Sequence, residues 1–231
     1  MDWEVLLHLD KSLLLALNGS DSLFVDGLAT VLTTASTWIP LYVALLYVVI
    51  NNNDNVRQIM LVVACAAMCV LLSGTIDDTF VKPLVARWRP THDPEIGLLV
   101  DVVNGYRGGK YGFFSAHAAN TFSIAVFFSL VIRSGRLTAV LISWSLVNCW
   151  TRMYLGVHFP GDILCGLAWG GVVGLGMAWL YGWLRLRCGA CKSFISTQYT
   201  STGYAFTDID IIINVVSFTL VYVIVRACFM V

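Results

Sequence analysis

The chain alternates between long apolar runs and short polar segments. Three runs carry no charged side chain and are long enough to cross a hydrocarbon core of about 30 Å: Gly27–Ile50, Gln58–Ile76 and Ile163–Leu184. Two shorter runs, Ala118–Ile132 and Leu137–Thr151, cross only if their helices continue into the polar residues at their ends, and Ile211–Val225 is a last apolar run. The pattern predicts about six transmembrane helices, with a kink at Pro40 in the first.

A narrow polar stripe marks the N-terminal segment, residues 1–19, which is otherwise apolar. Glu4, His8 and Lys11 repeat at helical spacing within Trp3–Leu17, and Asn18-Gly19 is a suitable helix stop. Such a stripe is typical of a helix that lies in the membrane interface. We therefore predict an interfacial amphipathic helix here, and we interpret His8 as a solvated surface histidine.

Composition indicates the same class of protein. Of the 231 residues, 58% are hydrophobic and only 12% are charged, and the formal net charge is zero. This is typical of an integral membrane protein, and a net charge of zero gives no excess of positive charge that would indicate nucleic-acid binding. We predict one all-α domain over residues 1–231: a polytopic membrane helix bundle of about six transmembrane helices plus the N-terminal interfacial helix.

The cysteines do not indicate a redox or metal centre. Cys188 and Cys191 have C-x-x-C spacing, but no second pair or nearby histidine completes a zinc site. We leave both cysteines unassigned. They lie in a linker at the start of the segment 188–231, and this segment ends in an extra C-terminal span. The other five lie in apolar runs, where cysteine usually acts as a small hydrophobe: Cys65, Cys69, Cys149, Cys165 and Cys228.

The distribution of basic residues predicts the orientation. Connections on one side of the membrane hold Arg57, Arg133, Arg136, Arg185, Arg187 and Lys192. Because cytoplasmic connections carry an excess of Lys and Arg, this side is predicted to be cytoplasmic. The opposite side, which includes the loop 91–114, then faces outward.

Three polar clusters fall on the outward side. Lys82 and Arg89 are seven positions apart, so a helix would place both cations on one face. Ser115 lies just before the run Ala118–Ile132, where its hydroxyl and the N–H groups of a helix start could bind an anion. His158 comes just before a helix start at Pro160-Gly161, and Asp162 lies in the first turn of that helix.

Each polar residue alone has an ordinary interpretation. Lys82 and Arg89 could be anchors at the end of a span, as we interpret Arg87 to be, and Arg152 could extend to the interface. His117 could be a hydrogen-bonded packing residue. Charged groups this close to a span are expensive, however, and three separated segments supply complementary chemistry to one face of the membrane. Together they favour a phosphate site with acid–base groups.

The same residues carry a resemblance to the type 2 phosphatidic acid phosphatases, integral-membrane lipid phosphatases related to vanadium haloperoxidases. That family has a Lys, six residues and Arg-Pro; then Pro-Ser-Gly-His; then Ser-Arg, five residues, His, three residues and Asp. The corresponding motifs here, within residues 76–166, are Lys82…Arg89-Pro90, Phe114-Ser115-Ala116-His117 and Thr151-Arg152…His158…Asp162. Three residues depart from the family pattern: Phe114 replaces Pro, Ala116 replaces Gly and Thr151 replaces Ser.

The resemblance implies a catalytic role for three residues. His158 is expected to become a phosphohistidine, Asp162 to fix its tautomer, and His117 to protonate the leaving oxygen. The expected phosphate ligands are Lys82, Arg89, Ser115, Arg152 and the amides near Ala116. No metal or other cofactor is implied.

The expected partners are the lipid bilayer and a phosphorylated membrane lipid. If the source is bacterial, the candidates are undecaprenyl diphosphate, phosphatidylglycerol phosphate and the phosphates of lipid A. The expected location is the inner membrane, with the site facing outward. The loop 91–114 is expected to select the lipid, with Arg107 and Lys110 either binding a second phosphate or remaining solvated.

Two other functions are open to the same chain. A transporter or binding protein for phosphorylated lipids would also place charges on an outward face, although ionisable residues deep within the spans would be expected. A zinc hydrolase would need ligands such as His92, Asp93 and Glu95, which lack a recognisable ligand spacing.

Overall fold

The described part of the chain is a bundle of α-helices. The computed structural model describes residues 3–187 and 196–230, and this part holds isolated β-bridges but no β-strand. The all-α membrane bundle predicted from the sequence is confirmed, while the C-x-x-C pair and Lys192 lie outside the described residues. The helices are α1 Trp3–Leu17, α2 Leu23–Thr33, α3 Ile39–Asn51, α4 Val56–Val70, α5 Lys82–Val85, α6 Ala116–Ile132, α7 Gly135–Tyr154, α8 Pro160–Arg187 and α9 Phe206–Cys228.

Helix length and hydropathy identify the segments that can cross a membrane. Within the described ranges, three helices qualify: Val56–Val85, α8 and α9. The pair formed by α2 and the helical segment Ala35–Asn51 adds a fourth if it counts as one span, although it is bent by 67°. Helix α6 is apolar but shorter. The count of six spans and the interfacial position of α1 stay predictions.

The first apolar run is broken before its proline. Helix α2 ends at Thr33, a 3-10 turn follows, and α3 starts at Ile39 with Pro40 in its first turn, where the missing N–H costs nothing. Trp38 Nε1 donates to the Leu32 carbonyl at 2.8 Å, so one carbonyl freed by the break remains paired. The predicted kink at Pro40 within one helix was therefore wrong, because the proline begins a second helix.

The second run continues beyond its predicted end at Ile76. Two π-helical turns, Leu71–Thr75 and Asp77–Val81, carry the helix into α5, which ends at Ala86 with a left-handed φ of 51°. Arg89 is extended, as expected for a residue before proline. The predicted helical face shared by Lys82 and Arg89 was therefore wrong, since the chain leaves the helix between them.

The core forms where α6 packs against α7 and α8. Glycines repeat every four residues along α8, and a Cβ at Gly170 would lie 2.5 Å from the Ala119 carbonyl oxygen. Small residues allow such a close approach between membrane helices. Helix α9 packs against α2 and α3, and the Asn51 and Asn52 side chains each donate to Asp208 at 2.7 Å.

We expect Gly170→Ala to destabilise the bundle by about 1–3 kcal/mol, because the new methyl group would force the backbones of α6 and α8 apart. Gly176→Ala is the matched control on the same helix, since its Cβ would meet no atom within 4 Å. Thermal unfolding in detergent compares the two variants. Equal melting temperatures would contradict the close approach of α6 and α8.

Candidate active site

Three segments meet at one end of the bundle: the turn after α5, the start of α6 and the junction of α7 with α8. The charges of Arg89, Arg152 and Lys82 all act on the ring of His158. His117 lies in the same group, within electrostatic range of Arg152, Lys82 and His158. The structure therefore brings the three predicted clusters together.

His158 lies in the short loop between α7 and α8. Gly156 turns this loop with a φ of 64°, and a Cβ there would lie 2.5 Å from a methyl carbon of Val100, so only glycine fits. The His158 side chain is 2% exposed. A tight, buried turn therefore fixes the position of the imidazole.

Asp162 faces His158 from the first turn of α8. Its Oδ2 atom accepts a hydrogen bond from the Phe159 N–H at 3.0 Å and lies 3.7 Å from His158 Nδ1. The second distance is too long for a direct hydrogen bond, so the contact between the two side chains is electrostatic. Among the described residues, His158 Nδ1 has no hydrogen-bond partner. The predicted pairing is present as a close approach.

The surroundings of His158 favour its neutral form. Burial lowers its pKa well below the usual 6.5, and the charges of Arg89, Arg152 and Lys82 lower it further. A hydrogen bond to the Gly112 backbone acts in the opposite direction but does not offset these effects. A neutral imidazole keeps a lone pair available for nucleophilic attack.

Arg89 is held by the loop that follows it. Its Nε donates to the Tyr111 carbonyl at 3.1 Å, and a Cβ at Gly108, where φ is 67°, would lie 2.6 Å from Arg89 Nη1. That Nη1 atom is buried without a hydrogen-bond partner in the described ranges. Burial, followed by the charge of Arg152, lowers the pKa of Arg89. An anion between the two guanidinium groups would relieve this repulsion.

Arg152 is held by two residues that the sequence analysis missed. Its Nη1 donates to Thr33 Oγ1 at 2.7 Å, and its Nη2 donates to the Tyr106 hydroxyl at 3.4 Å. Thr33 lies at the broken end of α2, and Tyr106 lies in the loop 91–114. The Nε atom of Arg152 has no partner in the part of the chain described. No sequence signal marked Thr33, because the break in the helix brings it to the site.

Lys82 is paired with two carboxylates. Its Nζ lies 2.8 Å from Asp77 and 2.5 Å from Asp78. Asp77 is fully buried and also accepts from the Phe114 N–H at 3.1 Å, so it joins the end of the helical span to the start of α6.

Ser115 is the N-cap of α6. Its Oγ accepts from the Ala118 N–H at 3.5 Å, and its own N–H donates to the Asp162 carbonyl at 3.1 Å. Ala116 is the first residue of the helix and is not among the positive-φ residues, so alanine is tolerated where the family has glycine. His117 follows in the same turn and hydrogen-bonds to the Thr33 backbone.

Arg87 is part of the site. Its Nη1 lies 2.6 Å from Asp162 Oδ1, and its guanidinium stacks on Phe159 at 4.3 Å from the ring centroid. The interpretation of Arg87 as an ordinary anchor at the end of a span was therefore wrong. Its spacing gave no indication of this role, because its partner is 75 positions away along the chain.

The two candidate loop cations are exposed. Lys110 Nζ lies 4.7 Å from the centroid of Trp88 and 5.2 Å from that of Tyr111, while the Arg107 carbonyl accepts from Thr91 Oγ1 at 3.0 Å. Neither contact assigns a ligand, so their role in selecting the substrate stays a prediction.

No metal cluster is present among the described residues. Within residues 3–187 and 196–230, no group of three or more His, Cys, Asp or Glu side chains could hold a metal ion. Asp93 and Glu95 instead bind Lys11 of α1, at 3.3 and 2.7 Å.

The arrangement can bind a phosphate and accept a phosphoryl group. Arg89, Arg152 and Lys82 supply positive charge, and the start of α6 supplies N–H groups that have no partner within the helix. Two histidines lie in range, and burial with the nearby cations favours the neutral form of His158. Such a site provides the positioning and charge stabilisation on which phosphoryl transfer depends.

Comparisons with known proteins point to the same chemistry. Residues 58–186 match the model of the PAP2 superfamily. The chain is 38% identical over 180 residues to the lipid A 4'-phosphatase of Bacteroides thetaiotaomicron, which covers 77% of each chain. It is 31% identical over 211 residues to the lipid A 4'-phosphatase of Porphyromonas gingivalis, covering 90% of this chain and 89% of the relative. A lipid A 1-phosphatase of Rhizobium etli is 26% identical over 141 residues, or 61% of this chain and 58% of its own. No solved structure matches.

Proposed function

Because the chain belongs to the PAP2 superfamily and is a lipid phosphatase, we propose that it removes a phosphate monoester from lipid A through a phosphohistidine on His158. The observation that carries the proposal is that two buried guanidinium nitrogens of the site, Arg89 Nη1 and Arg152 Nε, have no partner among the described residues. Buried polar groups are normally satisfied, so these atoms mark where a ligand binds or a step occurs.

Binding comes first in the proposed mechanism. The guanidinium groups of Arg89 and Arg152 take the phosphate oxygens, with Lys82 nearby, and the Ser115 hydroxyl and the first amides of α6 complete the cradle. Phosphoryl transfer requires little of the protein beyond orientation and charge neutralisation. The cations are fixed before the substrate arrives, so little reorganisation is needed in the transition state.

The first chemical step forms a phosphohistidine. The His158 nitrogen that does not face Asp162 attacks phosphorus, and the bond from phosphorus to the lipid oxygen breaks. The bound phosphate dianion offsets the charges of Arg152 and Lys82, so that His117 holds a proton, and His117 gives this proton to the leaving oxygen. Asp162, 3.7 Å from Nδ1, stabilises the positive charge that develops on the ring.

The second step returns the enzyme to its starting state. Water attacks the phosphohistidine and gives a proton to His117, which was left neutral by the first step. The nitrogen–phosphorus bond breaks, inorganic phosphate leaves and His158 is again neutral. His117 therefore acts first as an acid and then as a base.

The relatives favour one lipid among the sequence-based candidates. Two relatives, which cover 77% and 90% of this chain, are named as lipid A 4'-phosphatases, so we propose lipid A phosphate, at the 4' position, over undecaprenyl diphosphate and phosphatidylglycerol phosphate. Tyr106 reaches the site from the loop 91–114, which supports the proposal that this loop contacts the sugar next to the phosphate. Arg107 and Lys110 lie on the same loop and are candidates for the second phosphate.

We expect the purified protein to release phosphate from lipid A that carries only the 4'-phosphate, and to leave lipid A that carries only the 1-phosphate largely intact. Mass spectrometry of the products, in excess chelator, follows both reactions. His158→Ala should reduce release to background because the nucleophile is lost. The matched control, His8→Asn, alters an exposed histidine on α1 and should keep full activity. Release from the 1-position alone would contradict the proposed substrate, and an active His158→Ala would contradict the mechanism.

We also propose that the site faces outward from the bacterial inner membrane, with the basic connections near Arg133 and Arg136 in the cytoplasm. Single cysteines at Gly109 and Gly135 test this, since a Cβ at either position would meet no atom within 4 Å. In a background without the seven native cysteines, Gly109→Cys should react with an impermeant maleimide in intact cells and Gly135→Cys should not. The reverse pattern would place the site in the cytoplasm.

A further inference from the structure

Helix α1 contacts the catalytic group through one carboxylate. Asp10 Oδ2 lies 2.5 Å from Arg87 Nη2, and Asp10 Oδ1 accepts from the Gly161 N–H at 2.7 Å. Gly161 is in the first turn of α8, so Asp10 provides a cap from another helix to an amide that has no partner within α8. A residue outside the three motifs thus contacts two elements of the site.

Arg87 joins Asp10 to Asp162. Its two terminal nitrogens contact one carboxylate each, Nη2 on Asp10 and Nη1 on Asp162 Oδ1, and its face rests on the ring of Phe159. A planar guanidinium can make two such bonds in a fixed geometry, which an ammonium group cannot reproduce. The contacts therefore fix the direction of Arg87 from three sides.

The group is largely shielded from water. The side chains of Asp10, Arg87 and Asp162 are 15%, 22% and 0% exposed. Burial alone would lower the pKa of Arg87, but the charges of Asp162 and Asp10 outweigh this effect and raise it. Ion pairs in such surroundings are sensitive to the loss of one partner, because a charge is then left uncompensated.

We infer that Asp10 and Arg87 form a positioning pair that holds Asp162 against His158, so that α1 is a working part of the active site. Arg87 fixes Asp162 Oδ1, and the Phe159 N–H fixes Oδ2 on the side of His158. Asp10 in turn holds Arg87 and the start of α8. The inference rests on the proposed function of His158 as nucleophile.

Single variants test the pair with para-nitrophenyl phosphate as substrate. We expect Asp10→Asn, Asp10→Ala and Arg87→Ala to lower kcat by about 10- to 100-fold, since they loosen a group that orients the nucleophile. KM should change by less than about twofold, because none of these side chains contacts the phosphate. The matched control is Glu4→Gln, which removes an exposed carboxylate from the same helix and should keep the wild-type rate.

Two further measurements separate positioning from simple structural support. Asp10→Asn should cost nothing more in an Arg87→Ala background, because the amide oxygen can still accept from the Gly161 N–H and the lost charge acts through Arg87. Guanidinium ion at millimolar concentration should restore part of the activity of Arg87→Ala, whereas ammonium ion should not. This rescue should be lost in the Asp10→Ala, Arg87→Ala double variant, which lacks one of the two carboxylates that would hold the ion.

The outcomes divide clearly. Any one of four outcomes would overturn the inference: a wild-type kcat in both Asp10 variants, an increase in KM alone, fully additive losses of kcat in the double variant, or rescue by guanidinium that does not need Asp10. Gel filtration in detergent identifies misfolded protein, and the near-isosteric Asp10→Asn serves as the test if Asp10→Ala does not fold. Because the substrate is a soluble aryl phosphate, failure on lipid A would overturn the proposed lipid and leave this result standing.

Discussion

Mutual repulsion among cations that are buried or half-buried is the constraint on which the site depends. Lys82, Arg87, Arg89 and Arg152 lie around two histidines at one end of the bundle, where burial weakens screening by water. The protein neutralises two of the four with carboxylates, Lys82 with Asp77 and Asp78, and Arg87 with Asp10 and Asp162. Arg89 and Arg152 instead contact neutral groups, so a bound phosphate dianion would balance their positive charge. Burial, together with the charges of Arg89, Arg152 and Lys82, favours the neutral form of His158.

The helix bundle determines where these charges meet. A Cβ at Gly166 would lie 2.7 Å from the Ser115 carbonyl oxygen, so α8 passes directly beside the start of α6. That close approach allows the Ser115 N–H to donate to the Asp162 carbonyl, which links the start of α6 to the residue that faces His158. The break between α2 and α3 adds Thr33 to the opposite wall. Membrane packing and catalytic geometry are therefore set by the same contacts.

The sequence predicted the residues of the three motifs because their spacing is local. Gly156 turns the chain, Pro160 starts α8 and Asp162 follows within one turn, all of which short-range rules describe. The shared face of Lys82 and Arg89 failed because helical spacing assumes a continuous helix, and Ala86 ends it with a positive φ.

Arg87, Asp10 and Tyr106 could not be assigned from the sequence, since their partners lie 46 to 77 positions away in the chain. The family match confirmed the family that the three motifs had indicated, and the long-range contacts were found only in the structure.

The central claim is that His158 carries the phosphoryl group, and trapping that group tests it most directly. Enzyme mixed with substrate labelled in the phosphate is quenched in alkali, where phosphohistidine survives and serine esters tend to be lost, and the labelled peptide is then sequenced. The account predicts label on His158, none in His158→Ala, and more label at steady state in His117→Ala if aryl phosphate is the substrate, because the second step then lacks its base. Turnover without any trapped label under conditions that slow the second step, or label on another residue, would contradict it.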